Sequence, residues 1–233
     1  MVERKNTMYK DRNGVIEDSF QAFLVDGADF TKKEEYPIIK NWMIPSTTPS
    51  KLMPFSKAIN YKGDLSEYVI YFYSEDKTFE RVRRNPKRYL KFFKKCKGII
   101  GLDFSVHTDM SIIKQKAQLN DNLSLTFFFG NNSIPVYPNC RGGSDKINDE
   151  YLNAFPKHAY IALGTHGFIK LKEQKHEWRC WINKIVKKLE PKGLIIVGKL
   201  PQDIINEYSK KVEFHFFESF MEERWKEVKE YAN

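Results

Sequence analysis

Polar side chains that could do chemistry follow several apolar, β-rich runs of the sequence. The run Tyr68–Tyr73 is followed by Asp76, and the run Gly98–Phe104 holds Asp103 near its end, with Ser105 directly after it. If the two strands are neighbours, their backbones lie about 4.8 Å apart. Two carboxylates at that spacing could share a proton or a divalent metal ion. The alternative is that Asp103 caps the following helix or accepts backbone hydrogen bonds.

Later strand ends add groups for anion binding and for acid–base chemistry. Asn139 precedes the segment Arg141-Gly-Gly-Ser, which could wrap an anion with a guanidinium and backbone amides, or form a flexible turn. The run Ala159–Gly164 leads into Thr165 and His166. His166 could act as an acid or base near neutral pH, or be an ordinary loop histidine. The sequence contains no Walker loop, dinucleotide-binding glycine motif or nucleophile elbow.

These positions together define a candidate strand-end site. Its catalytic candidates are Asp76, Asp103 and His166, and its ligand-binding candidates are Ser105, Asn139, Arg141 and Thr165. We expect no resident cofactor, with a divalent metal ion between Asp76 and Asp103 as the alternative. On this interpretation the protein is a phosphate-handling or metal-assisted enzyme, and whether it catalyses a reaction stays open.

A second candidate site is a short segment that carries the whole excess of positive charge. The chain has 233 residues, with 39 Lys and Arg against 30 Asp and Glu, and a net charge of +9. Residues 77–97 hold ten basic residues and one acid, so that 10 − 1 = +9 and the rest of the chain sums to zero. Apolar residues recur in this segment at steps of three and four, which is typical of one helical face. Asn85-Pro86 inside it predicts the start of a second helix.

The basic residues recur at the same helical step, which predicts a row that faces solvent. The predicted nucleic-acid-binding residues are Arg81, Arg84, Lys87, Arg88, Lys91 and Lys95. Such a row suits a phosphate backbone, because each phosphate that it neutralises releases counterions. It also suits an acidic protein surface. The remaining alternative is a solvated outer helix whose long side chains cover apolar surface.

The elements that must position both sites alternate along the chain. Seven apolar runs, the first at Ile38–Ile44, are mostly separated by helical patterns such as Lys175–Leu189. This alternation predicts right-handed βαβ units and a parallel sheet that is covered on both faces. We predict an α/β fold that forms a small or incomplete TIM-like (β/α) barrel, with an open doubly wound parallel sheet as the alternative. Residues 1–35 are predicted to form an irregular N-terminal wrap and residues 36–233 a single α/β domain, in which Pro45–Asn60 is a long loop.

Composition excludes several classes of protein. Hydrophobic residues make up 41% and aromatic residues 15%, which is enough for a core and excludes wholesale disorder. The three cysteines are widely spaced and include no Cys-x-x-Cys, which argues against a disulfide scaffold and a thiolate zinc site. The first residues lack the apolar stretch of a secretory signal, and no run of about 18 apolar residues could span a membrane. We therefore expect a cytoplasmic protein with no membrane partner.

Several motifs in order carry a resemblance to a known family. They are Tyr71-Phe-Tyr-Ser-Glu-Asp-Lys-Thr-Phe-Glu-Arg-Val, Asn85-Pro-Lys-Arg-Tyr-Leu, Gly98-Ile-Ile-Gly-Leu-Asp-Phe-Ser, Asn132-Ser-Ile-Pro-Val-Tyr-Pro-Asn and Ile161-Ala-Leu-Gly-Thr-His-Gly. In this order they resemble the uncharacterised family called domain of unknown function 4417, which is found in bacteria, archaea, phages and mobile elements. The resemblance spans roughly residues 68 to 200. It implies an α/β fold and adds interest to Asp76, Asp103 and Ser105, but it implies no activity.

The phage association of the family implies a role in genome handling or in countering host defence. Our leading hypothesis is a phage or mobile-element protein, cytoplasmic in its host, whose cationic helices bind nucleic acid or a machine bound to nucleic acid. The first alternative is an inhibitor that binds an acidic surface of a host defence complex. The second alternative is the strand-end enzyme.

Overall fold

The structure, a computed structural model, describes residues 9–10, 16–18, 20–165, 172–220 and 222 of the 233-residue chain. The strands within these residues are β1 (Tyr9–Lys10), β2 (Ile16–Glu17), β3 (Lys51–Pro54), β4 (Tyr68–Tyr71), β5 (Gly98–Ile100), β6 (Val136–Tyr137), β7 (Tyr160–Gly164), β8 (Gly193–Val197) and β9 (Glu213–Phe217). The α-helices are α1 (Phe55–Ala58), α2 (Glu80–Arg84), α3 (Pro86–Phe93), α4 (Ile112–Asn131), α5 (Asp145–Leu152), α6 (Lys172–Leu189) and α7 (Gln202–Tyr208). Short 3-10 helices lie at Ala22–Val25, Asn41–Met43 and Asp76–Thr78.

Seven strands form two parallel sheets whose strands follow the order of the chain. One sheet has the order β3-β4-β5-β6 and the other the order β7-β8-β9. A parallel bridge between Asn139 and Ala162 joins them. At this bridge the N–H of Cys140 donates to the carbonyl of Ala162 at 2.9 Å, and the N–H of Ala162 donates to the carbonyl of Pro138 at 3.0 Å. The predicted α/β fold with parallel strands is confirmed, and β1 and β2 form a separate antiparallel pair.

The two faces of these sheets are buried by different partners. Alternate strand residues such as Ile70, Ile99 and Leu163 belong to a cluster that also holds Phe93 of α3 and Phe129 of α4. The intervening residues point to the opposite face, because successive strand side chains alternate. There they form a second cluster, which includes Val69, Tyr71, Ile100, Tyr137, Ala162 and Ile195, with Leu52 of β3 and Phe217 of β9 packed against it. Burial on both faces is the reason that these strands are apolar throughout.

Two predictions for the N-terminal half of the chain are wrong. The run Ile38–Ile44 is no strand and contains the 3-10 helix Asn41–Met43. The predicted long loop Pro45–Asn60 contains β3 and α1. The strand was missed because Pro54 ends it, and proline argues against a strand unless the strand lies at a sheet edge. β3 is an edge strand of its sheet, which is the position at which a strand tolerates proline.

The predicted break in the basic segment is confirmed. α2 and α3 meet at Asn85, whose side chain accepts a hydrogen bond from the N–H of Arg88 at 3.3 Å, and Pro86 is the first residue of α3. The predicted helix Lys175–Leu189 corresponds to α6. Within the described residues, no helix has both the length and the apolar character that crossing a membrane requires. The boundary predicted between residues 1–35 and 36–233 stays a prediction.

Candidate functional site

The strand-end site is built where β5 and β6 run side by side. Gly101 follows β5, and its N–H donates to the carbonyl of Tyr137 at 2.8 Å. A Cβ atom at Gly101 would lie 2.6 Å from Oγ1 of Thr126 and 3.0 Å from the backbone nitrogen of Asn139. The absence of a side chain therefore lets the two strands and α4 approach closely. This approach brings Asp103, at the end of one strand, against Asn139 and Arg141, at the end of the next.

Asp103 lies in a chain of hydrogen bonds between side chains. Its Oδ2 accepts from the guanidinium of Arg141 at 2.6 Å, and its Oδ1 accepts from Nδ2 of Asn139 at 2.7 Å. The Oδ1 of Asn139 accepts in turn from the hydroxyl of Tyr73 at 3.1 Å. The hydroxyl of Tyr151 donates to the backbone carbonyl of Asn139 at 3.2 Å. Both oxygens of Asp103 are thus engaged, and Asp103 does not cap α4, whose N-cap is Ser111.

Burial shapes the electrostatics of this group. The side chains of Asp103 and Arg141 are 11% and 12% exposed, respectively. Burial raises the pKa of Asp103, while the charge of Arg141 and the hydrogen bonds from Asn139 and Arg141 oppose that rise. Burial also raises the pKa of Tyr73 well above its ordinary value, so its hydroxyl stays a neutral donor. The pKa of the neighbouring Cys140 thiol is raised by burial in the same way.

A cavity of about 720 Å³ opens beside the ion pair. Its walls come from the loops after β5 and β6, from the end of β7 and from the first turns of α6, and they include Asp103, His107, Asp109, Asn139, Arg141, Ser144, His176, Glu177, Trp178 and Trp181. The indole N–H of Trp181 donates to the carbonyl of Cys140 at 3.1 Å. A Cβ atom at Gly142 would lie 2.8 Å from the indole of Trp181. Because glycine has no side chain, the indole can pack directly against this loop and form part of the cavity wall.

The structure brings some of the predicted site residues together and separates others. Asp103, Asn139 and Arg141 line the cavity. Asp76 and Ser105 bind each other instead, since the carboxylate of Asp76 accepts from the N–H of Ser105 at 3.1 Å and from its hydroxyl at 3.0 Å. Thr165 is buried, and its N–H donates to the carbonyl of Val197 at 3.0 Å. The predicted site residue His166 lies outside the described residues.

The carboxylates proposed to share a metal ion already have protein partners. The strands that lead to them are neighbours, which meets the condition set for a shared site, because β4 pairs with β5. Asp103 binds Arg141 and Asn139, whereas Asp76 binds Ser105. Among the described residues, no group of three or more His, Cys, Asp or Glu side chains is arranged to hold a metal ion. A divalent ion between Asp76 and Asp103 stays a prediction, and it would have to replace these hydrogen bonds.

The tryptophan wall of the cavity was not anticipated as part of a site. Trp178 belongs to an apolar stripe of α6 that reads as a core-facing surface, and Trp181 follows it. The His176–Cys180 pair was missed too, although its i,i+4 spacing is visible in the sequence. Nε2 of His176 lies 3.6 Å from Sγ of Cys180, and both side chains line the cavity. Helical spacing alone could have shown this pair, but not the cavity that it borders.

The predicted basic residues are exposed on α2, on α3 and in the turn that follows α3. All six predicted residues, namely Arg81, Arg84, Lys87, Arg88, Lys91 and Lys95, are exposed. We call this set the cationic face. The opposite side of α3 is fixed by packing, since Phe93 is fully buried and its ring centroid lies 5.0 Å from that of Phe129. The basic row therefore points to solvent because the apolar stripe of the same helix points to the core.

Local acids neutralise only part of this segment. Arg83 turns inward, where its guanidinium lies 2.8 Å from Glu80 and 3.1 Å from Asp121. Arg84 lies 3.6 Å from Glu80. Within the described part of the chain, no acidic side chain forms an ion pair with Arg88, Lys91 or Lys95. The positive charges of Arg88, Lys91 and Lys95 are therefore not neutralised by these acids.

The fold and these two surfaces define an α/β protein of sequential parallel strands, with a cavity at their carboxyl ends and a cationic helix pair outside. A model of the family described as Domain of unknown function (DUF4417) matches residues 33–215. Because the match covers most of the 233 residues, the chain belongs to this family, and the resemblance found in its motifs is confirmed. Comparison with curated proteins found no match, and comparison with solved structures found none either.

Proposed function

We propose that the protein binds nucleic acid through the cationic face of α2 and α3. The observation that carries the proposal is the state of Arg88, Lys91 and Lys95, which are exposed and form no ion pair with any described acidic residue. Unpaired cations in a row repel one another, and a phosphate backbone relieves that repulsion while it releases its own counterions. The proposal places this activity in the cytoplasm, of a host cell if the chain is encoded by a phage.

The rigidity of α3 supports the proposal. Its first turn is capped by Asn85 and begins with Pro86, and its apolar side is locked into the core by Tyr89 and Phe93. The cations therefore project from a fixed backbone, and little backbone entropy is lost when they bind a ligand. The helices also lie outside the sheets.

We propose that the seven parallel strands form an incomplete (β/α) barrel. The chain-order pairing supports this over a doubly wound sheet, and so does the buried cluster against which residues of both β3 and β9 pack.

A salt series tests the proposal. We would measure binding of fluorescent single-stranded and duplex DNA and RNA of mixed sequence by anisotropy from about 50 to about 300 mM KCl. The triple variant R88Q/K91Q/K95Q should bind more weakly at low salt. Its log–log salt slope should shrink by about 2 for single strands, since each lost phosphate contact removes about 0.7. The matched control K146Q/K187Q/K210Q changes three exposed lysines of α5, α6 and the turn after α7, and should leave binding unchanged.

The outcomes distinguish the proposal from its alternatives. A salt-independent affinity, or an equal loss in both triple variants, would contradict the assignment of the cationic face. If the face instead binds the acidic surface of a host defence complex, a protein partner will be retained from host lysate after nuclease treatment. That retention should be lost in R88Q/K91Q/K95Q but not in the control.

A second candidate function, a small-molecule site, is favoured by the charge of the cavity. Four of its lining residues are carboxylates (Asp103, Asp109, Asp145 and Glu177), and one is a guanidinium, that of Arg141. Asp103 is neutralised by Arg141, and Asp145 lies 2.9 Å from Lys184. The exposed carboxylates of Asp109 and Glu177 form no ion pair with a described residue. Beside the Trp178 indole, this negative charge favours an organic cation over a phosphate as ligand.

Tryptophan fluorescence tests this second candidate. Benzyltrimethylammonium should quench the emission saturably, whereas benzoate, of similar size and opposite charge, should not. The variant Glu177→Gln should weaken the binding, and Glu173→Gln, an exposed residue of the same helix that does not line the cavity, should not. Equal quenching by both probes would rule out an acidic, cation-selective cavity.

A further inference from the structure

We propose that the nucleic acid bound by the cationic face is single-stranded, and that Phe20 and Tyr61 stack on its bases. The inference rests on the proposed function and adds the class of nucleic acid. It starts from two exposed aromatic side chains that lie at opposite ends of α3. Phe20 is 88% exposed and Tyr61 is 40% exposed.

Phe20 lies beside the N-terminal end of α3. Its neighbour Gln21 donates from Nε2 to the backbone carbonyl of Arg84 at 3.5 Å. Three residues after Phe20, the ring centroid of Phe23 lies 3.8 Å from Nζ of Lys87. The segment that carries Phe20 is therefore attached to the junction of α2 and α3, through the backbone of Arg84 and the side chain of Lys87. An exposed phenyl ring beside this junction is positioned for a base whose phosphate the cationic face binds.

Tyr61 lies near the other end of α3. Its ring packs edge-on against Tyr68, with ring centroids 6.0 Å apart. The backbone carbonyl of Tyr68 accepts a hydrogen bond from the N–H of Lys97 at 2.9 Å, and Nζ of Lys51 lies 5.6 Å from the Tyr68 ring centroid. A Cβ atom at Gly63 would lie 2.7 Å from the Tyr61 ring. The ring therefore packs closely against the backbone of Gly63, which restricts its orientation. Tyr61 is thus a fixed aromatic surface with lysines nearby.

The physics of stacking decides between a single strand and a duplex. In a duplex the base faces are already stacked on one another, whereas a single strand presents them to protein rings. Stacking of a base on an aromatic side chain contributes about 1–3 kcal/mol per base and needs no particular sequence. The eight residues of α3 span about 12 Å, and Arg84 and Lys95 extend the cationic row beyond both ends of this helix. Aromatic surfaces at both ends of a cationic row of that length suit a short single-stranded segment.

The test compares two probes and three proteins. The probes are oligothymidine of about 12 nucleotides and a duplex of about the same length, measured by anisotropy at low salt. The proteins are the wild type, F20A/Y61A, and the control F216A, which removes a 45% exposed aromatic ring from β9. Wild type should prefer oligothymidine. F20A/Y61A should weaken oligothymidine binding at least about tenfold, the equivalent of about 1.4 kcal/mol, and change duplex binding less than about twofold. F216A should resemble wild type.

Each outcome has one meaning. If wild type binds neither probe, the proposed function fails and this inference fails with it. If both probes bind through the cationic face but F20A/Y61A leaves oligothymidine binding unchanged, or weakens both probes equally, only the inference is overturned. A preference for the duplex, or an equal loss in F216A, overturns it as well. Oligothymidine binding by F20W/Y61W that equals or exceeds that of the wild type would support stacking, because tryptophan offers a larger aromatic surface.

Discussion

The guanidinium of Arg141 lies 2.6 Å from the carboxylate of Asp103, and both side chains are nearly buried. Each charge loses most of its hydration there, so the pair is tolerated only because further hydrogen bonds complete it. Asn139 supplies one of them to Asp103, and Tyr73 orients Asn139. The pair therefore ties the strand end after β5 to the loop after β6 and forms one wall of the cavity.

Removing the carboxylate should be costly. Asp103→Asn leaves the buried guanidinium of Arg141 without its counter-ion, and we expect the free energy of unfolding in urea to fall by about 3–5 kcal/mol. Glu190→Gln breaks an exposed ion pair, in which Glu190 lies 2.9 Å from Lys157, and should cost less than about 1 kcal/mol. The double variant D103N/R141Q should recover part of the loss, because it leaves no unpaired charge. If D103N and E190Q lower the free energy of unfolding equally, the buried ion pair is no more important for stability than the exposed one.

Cys96 gives the stability a defined dependence on alkaline pH. Burial raises the pKa of its thiol from 9.0 to about 11. Between these two values the folded protein keeps a proton that the unfolded chain has lost, so the contribution of Cys96 to stability is complete below pH 9 and falls as the pH rises toward 11. The difference in free energy of unfolding between wild type and Cys96→Ala, measured by denaturation at a series of pH values, should therefore shrink across this window. A difference that stays constant would contradict the raised pKa.

The cap of α3 can be tested without disturbing the core. Asn85 is exposed, and its side chain accepts from the N–H of Arg88. Asn85→Ala should lower the free energy of unfolding by about 1 kcal/mol, whereas Asn85→Asp should keep most of the stability. Asn60→Ala, at another exposed asparagine, should change it by less than about 0.5 kcal/mol. A loss in N60A equal to that in N85A would remove the cap as the cause.

Gly101 should resist enlargement. An added methyl group would meet Oγ1 of Thr126 at 2.6 Å and the backbone nitrogen of Asn139 at 3.0 Å. We expect Gly101→Ala to lower the free energy of unfolding by about 1–3 kcal/mol, since overpacking a filled core forces its neighbours apart. G101A/T126A should recover only part of the loss, because the clash with backbone remains. Thermal and urea denaturation would check both, and unchanged stability in G101A would mean that the strands have room to separate.

Much of the architecture could be predicted because its causes are local in the chain. The alternation of apolar runs with helical patterns predicted the α/β class, and Asn85-Pro86 predicted the boundary between α2 and α3. The spacing of the basic residues predicted a row on the outer side of these helices, since one helix cannot turn its apolar stripe inward without turning the opposite side outward. The edge strand β3 escaped prediction, because whether a proline is tolerated depends on where the strand lies in the sheet.

The partners of the site residues were decided only by the tertiary structure. The strands that lead to Asp76 and Asp103 are neighbours, but the two carboxylates bind different partners. Asp76 binds Ser105, and Asp103 binds Arg141. Asp103 and Arg141 are 38 positions apart, so their contact depends on strand register and on the path of two loops. The hydrogen bond from Gln21, the neighbour of Phe20, to the last residue of α2 depends likewise on how distant segments pack. Periodicity and capping act within a few residues of the chain, whereas a hydrogen bond across loops exists only after the whole core has set their positions.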